Sequence, residues 1–163
     1  MTLDPILNAP WVIQIHIAFA MPAILLGPVA IYRRRRDAIH RAFGYAWVTA
    51  MTGVAITGLF IPAAILPILG PFGPIHGLSV VVLVNLVLGI RHIRHRRIAA
   101  HQAVMRSLYW QAMGIAGLFT LLPGRTMNAT LFPGAPELGW WAIGAGLLAI
   151  AAMTVRNRRP ASA

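Results

Sequence analysis

A chain of 163 residues with 58% apolar and only 10% charged side chains has a mean hydropathy of +0.72, a balance that ordinary soluble domains of this size do not show. The formal charge is +11, all fourteen basic residues are arginine, and only three acids oppose them; because the arginines stand in blocks between apolar stretches, the charge reads as membrane topology and argues against a nucleic-acid partner. Cysteine is absent, which excludes disulfides, thiolate metal sites, iron–sulfur clusters and cysteine nucleophiles.

Five apolar stretches are long enough, or nearly so, to cross a hydrocarbon layer: 11–32, 42–61, 75–93, 104–123 and 139–155. Backbone groups in lipid need internal partners, so these stretches are expected as helices. The expectation is an all-α integral membrane bundle of about five transmembrane helices, forming a single membrane domain over 1–163. The start, MTLDPILNAPWVIQIH, has no basic region and no small-residue cleavage site after its apolar run, so it is not expected to be a removable signal peptide. Pro22 and Pro28 should kink the first span where neighbours can take up the freed carbonyls. Arg33, Arg34, Arg35, Arg36 and Arg41 follow it, and Asp37 is placed to N-cap the second helix.

After the second span, IPAAILPILGPFGPIHG is apolar but crowded with Pro62, Pro67, Pro71 and Pro74, which suits an extended helix end or an interfacial loop. Arg91, Arg94, Arg96, Arg97 and Arg106 lie between the third and fourth spans. The fourth is followed by PGRTMNATLFPGAPELGWW, with Pro-Gly turn chemistry and two tryptophans suited to the headgroup layer. Arg156, Arg158 and Arg159 close the chain. Basic residues stay in short cytoplasmic loops, so this alternation predicts the N-terminus outside and the C-terminus cytoplasmic. The same arginines can meet anionic lipid headgroups.

Four histidines fall into two layers. His16 lies roughly 7 Å below the end of its helix, by the helical rise from Trp11, and His76 opens the third span from the same side. His40 and His101 both lie near the opposite boundary, and the spacings His16 to His40 and His76 to His101 are 24 and 25 residues. Paired imidazoles on facing helices, inside a bundle that excludes water, are what a b-type haem requires. Small residues could make room for the porphyrin: His16, Ala20, Ala23 and Gly27 share one face, and Gly44 lies one turn after His40. The same small residues also suit close helix packing without a ligand. His92 and His95, among arginines, are expected to meet solvent or lipid phosphate.

Asn85, Gln14 and Gln111 lie within spans, where interhelical hydrogen bonding is the usual role. No carboxylate lies inside a span, which weakens a proton-coupled transporter. Arg125 in FTLLPGRTMN is the only cation on its side of the predicted topology, so a specific partner is expected: a haem propionate, a quinone headgroup, an anionic substrate, a lipid phosphate or, as a loop anchor, Glu137. No nucleophile–base arrangement, phosphate-binding glycine loop or metalloprotease motif is present.

Taken in order, IHRAFGYAWV, HQAVMRSLYW and FTLLPGRTMN resemble the bacterial membrane family catalogued as domain of unknown function 2306, over roughly residues 10–135. Typical members carry a histidine in the first span, matched here by His16, and a His-Arg-x-x-Gly motif, matched by His40, Arg41 and Gly44. A later His-Arg-x-x-Met motif is matched by His101 and Met105, with Gln102 in place of the arginine. The resemblance implies a multi-pass protein of the bacterial cytoplasmic membrane, similar in plan to membrane di-haem cytochromes.

The leading expectation is therefore haem b binding and transmembrane electron transfer, by an electron carrier or small membrane oxidoreductase with a quinone or protein redox partner. His16 with His76 and His40 with His101 would be the axial pairs, and Arg125 would hold a propionate or the donor. The alternative is a cofactor-free small transporter or an accessory subunit whose histidines and arginines serve lipid contact and topology.

Overall fold

The computed structural model describes residues 1–33, 35–63 and 67–158, with side chains described as far as residue 152. Arg34, Arg159 and part of the proline-rich segment after the second predicted span lie outside the described residues. The elements are α1 (Asp4–Leu7), α2 (Trp11–Tyr32), α3 (Ala38–Gly58), α4 (Pro74–Arg94), α5 (Ile98–Ser107), a π-helical segment (Leu108–Met113), α6 (Gly114–Phe119), α7 (Thr126–Leu131) and α8 (Leu138–Arg158). The architecture is all-α. The chain divides into two compact units, one of residues 10–112 and one of residues 1–9 with 113–163.

In the first unit, α2 packs on α3, α3 on α4 and α4 on α5, and α5 returns to touch α2. Four helices thus close a cycle built from two hairpins. Helix α2 is apolar all round, and Pro28 removes the N–H that would serve the Ile24 carbonyl four residues earlier. The Tyr109 hydroxyl donates to that carbonyl at 3.2 Å, and Trp47 Nε1 donates to the adjacent Ala23 carbonyl at 3.0 Å. Both donors crowd Gly27, where a Cβ would stand 2.3 Å from the Tyr109 ring. The expected stripe Ala23–Gly27 is therefore filled by packing and leaves no porphyrin space there.

Helix α3 begins at Ala38 because Asp37 accepts from the His40 backbone N–H at 3.0 Å, the cap expected from the sequence. Asp37 also pairs with Arg33. The Arg33 guanidinium, and then the His40 N–H, hold the Asp37 carboxyl well below the usual carboxylate range. On α4, Gly89 has no side chain because Met105 of α5 fills the place: a Cβ there would meet Met105 Cε at 1.9 Å. The described part of the proline-rich segment is a tight turn, with Gly70 at φ +57° and a bridge between Leu69 and Phe72.

In the second unit α1 packs on α7 and α6 on α8. Its turns use Gly124 at φ +83° and Gly134 at φ +80°, conformations that favour glycine. Asn128 is fully buried and donates to the Leu121 carbonyl at 2.7 Å and the Pro136 carbonyl at 2.9 Å. Gly139 lets those groups approach, since a Cβ would lie 2.0 Å from the Leu121 oxygen.

Five spans are not what forms. Among the described residues only α2 and α4 are both long enough and apolar enough to cross a membrane. Helix α3 carries His40 and Arg41 in its first turns and is diluted by Thr49, Thr52, Thr57 and three glycines. The predicted span 104–123 is not one regular α-helix: α5 brings His101, Gln102, Arg106 and Ser107, a π-helical turn follows it without a gap, and α6 ends at Phe119. Of α8, the part whose side chains are described, Leu138–Ala152, is an apolar stretch shorter than the roughly 20 residues a crossing needs. The predicted orientation rested on a five-span alternation and falls with it. On α2, Leu25 and Val29 are exposed, as on α4 are Val80, Val84 and Val87, which suits contact with lipid.

Candidate functional site: a cationic pocket between two histidines

The α2–α3 turn and the α4–α5 turn lie at one end of the four-helix cycle, and a cavity of about 370 Å³ opens there. His40 and His101 both line it, so the structure brings together one of the two predicted pairs. Each is placed by its helix start, His40 by the Asp37 cap and His101 by the tight link through Arg96, at φ +57°.

The two imidazoles differ in what they have left to give. His101 Nδ1 lies 2.9 Å from the Gly89 carbonyl. A carbonyl only accepts, so Nδ1 carries a proton, and in the neutral ring Nε2 keeps a free lone pair, the state in which backbone-anchored histidines bind metals. His40 Nδ1 is buried with no hydrogen-bond partner among the described residues, a costly condition for a polar atom. Gly44, one turn after His40, has nothing within 4 Å of the Cβ position, and it lines the same cavity. The space expected beside a histidine is here.

The walls are mixed. Ala30, Ile31, Val48, Ile90 and Ile93 supply hydrocarbon, while Arg33, Arg36, Arg41, Arg94 and Arg106 line the cavity as cations. Reading the arginines as topology and lipid contacts missed this convergence. Its signal was the proximity of each block to a histidine at the start of a helix. Gln102 lines the pocket too, as does Met105, one turn after His101.

His16 and His76 lie at the other end of the same helices. His16 Nδ1 is 2.8 Å from Thr57 Oγ1, whose own proton is given to the Gly53 carbonyl at 2.7 Å. The His16 ring and Ser79 Oγ both flank the notch left by Gly58. His76 is buried, its ring edge-on to Phe72 at 4.9 Å, and its Nδ1 accepts the Gly73 N–H at 3.1 Å. That bond leaves the proton of a neutral His76 on Nε2, so its free nitrogen is a donor and not a ligand.

Arg125 belongs to the second unit, at the N-terminus of α7, and forms no ion pair with Glu137; the ion pair found among the described residues is Arg33–Asp37. Asn85 donates to the Val81 carbonyl and Gln111 accepts from Ser107, so both are satisfied within their own helical stretch and not across helices. Among the described residues no three histidine or carboxylate side chains group as a site for a bare metal ion.

The fold and the site define a helical membrane protein with a ligand-sized cationic pocket at one end of a four-helix cycle. The family described as "Predicted membrane protein (DUF2306)" matches residues 13–155, and the chain belongs to it. No curated protein and no solved structure matches the chain.

Proposed function

We propose that this protein binds one b-type haem between His40 and His101 and carries electrons in the bacterial cytoplasmic membrane, exchanging them with a quinone or a protein partner. The observation that supports this is the shared pocket: one imidazole with Nε2 free and another with Nδ1 buried and unpartnered line a single cavity beside an open Gly44. Two imidazoles are too few to hold a bare ion and are enough for an iron that brings four porphyrin nitrogens. A bound haem would supply one-electron iron chemistry.

The chain's own contribution is positional. The Gly89 carbonyl fixes the His101 tautomer and ring plane, the Asp37 cap fixes the start of α3 and hence His40, and the aliphatic wall keeps water from the ring. The arginines at the mouth suit propionates, and facing outward they also suit anionic lipid headgroups.

The test is spectroscopic. Protein purified in mild detergent from haem-sufficient cells should show a Soret band that shifts on dithionite reduction. The sharp visible bands should be lost in His40→Ala and His101→Ala and kept in His76→Ala. A featureless spectrum, or bands indifferent to both His40 and His101, would remove the haem reading and return the protein to the cofactor-free class.

A further inference from the structure

We infer that the same pocket is a clamp for a dianionic amphiphile, in which Arg36, Arg41, Arg94 and Arg106 grip paired oxyanions and the aliphatic wall takes the apolar body. The inference rests on the reading of this cavity as a ligand site, and it does not depend on iron.

Five arginines line the cavity, and the chain contains only three acids to answer them. Asp37 is bound to Arg33, through Arg33 Nε at 2.9 Å and a second bond from Nη2. Asp4 and Glu137 belong to the other unit. Four arginines are thus left without a carboxylate among the described residues, converging on one opening. Like charges held together repel, and a guanidinium fork matches a carboxylate or phosphate edge in two parallel hydrogen bonds. An anion of charge about −2 answers four such groups while leaving the mouth cationic.

Size and lining then choose among anions. A cavity of about 370 Å³ is within the range of small-molecule sites. A bare phosphate or sulfate would leave most of it empty and would lie against hydrocarbon that Ala30, Ile31, Ile90 and Ile93 present. An amphiphile meets both demands, with oxyanions at the arginines and an apolar body on the wall. The carboxylates of a tetrapyrrole and the phosphate of a lipid share this chemistry.

The experiment uses the full chain in nanodiscs of phosphatidylcholine, with metal-free protoporphyrin IX as probe and Trp47, which lines the cavity, as an intrinsic reporter. The diacid should bind saturably and quench tryptophan fluorescence. Its dimethyl ester, the same ring without the charges, should bind about tenfold or more weakly, as should the diacid to the Arg94→Gln/Arg106→Gln double variant or at high salt. Arg125→Gln, the same kind of charge change in the other unit, should bind like wild type, and Arg94→Lys/Arg106→Lys should recover part of the affinity. Phosphatidic acid in the nanodisc that displaces the probe would name a lipid phosphate as occupant, and failure to displace it would name a carboxylate. Either result supports the clamp.

Equal binding of diacid and diester would overturn it, as would unchanged binding by a double variant whose circular dichroism and thermal melt are native. The two readings fail separately. Loss of haem bands with charge discrimination intact removes the iron, and loss of charge discrimination with the bands intact removes the clamp.

Discussion

Asp37 performs two tasks, capping α3 through the His40 N–H and pairing with Arg33. Both favour its charged form, so its carboxyl is held below the unfolded value of 3.8. A depressed carboxylate contributes stability above the unfolded pKa and loses it only as pH falls through the folded one. Asp37→Asn should therefore lower the melting temperature in detergent by about 1–3 °C, by the same amount from pH 8 to pH 5, with the gap closing only in acid below 3.8. A gap that closes between pH 7 and pH 5 would assign the effect to a histidine. The cap was legible in the sequence because it needs only an aspartate three residues before a helical N–H. The state of His101 was not, because it depends on the Gly89 carbonyl twelve residues away on another helix.

At the scale of elements, the π-helical segment and Pro28 of α2 explain each other. The wide turn at Leu108–Met113 presents Tyr109 to the carbonyl that Pro28 leaves free, and Trp110 Nε1 donates to the Tyr32 hydroxyl at 2.7 Å. Tyr109→Phe should cost about 0.6 kcal/mol, the usual scale of a hydrogen bond between helices in membranes. In a Pro28→Ala background the restored N–H serves Ile24 from within α2, so the same substitution should cost close to nothing. Equal costs in both backgrounds, measured by unfolding in mixed micelles, would refute the pairing. Proline alone announced a freed carbonyl in the sequence. The sequence did not show that the fourth apolar stretch would widen into a π-helical turn to supply the donor.

At the scale of the molecule, α2 and α4 carry the membrane character, each with an exposed apolar face. The protein should stay with the membrane fraction through an alkaline carbonate wash and leave it only with detergent. Release by carbonate alone would contradict its membrane insertion. The arginine blocks, clustered at the turns of two hairpins, make that end of the first unit strongly cationic.

By itself the sequence determined the helical membrane class, the family, the Asp37 cap and the Pro-Gly turns, because each follows from composition, from ordered motifs or from contacts within a few residues. Only the tertiary structure decided that, among the described residues, two helices and not five meet the length and polarity of a membrane crossing. It also decided that Gly27 is filled by Tyr109 while Gly44 stays open, and that His40, His101 and five arginines share one cavity. The physical reason is that the number of crossings depends on where helices break. Which residues meet depends on the close approaches that glycines such as Gly27 and Gly89 permit between helices distant in sequence.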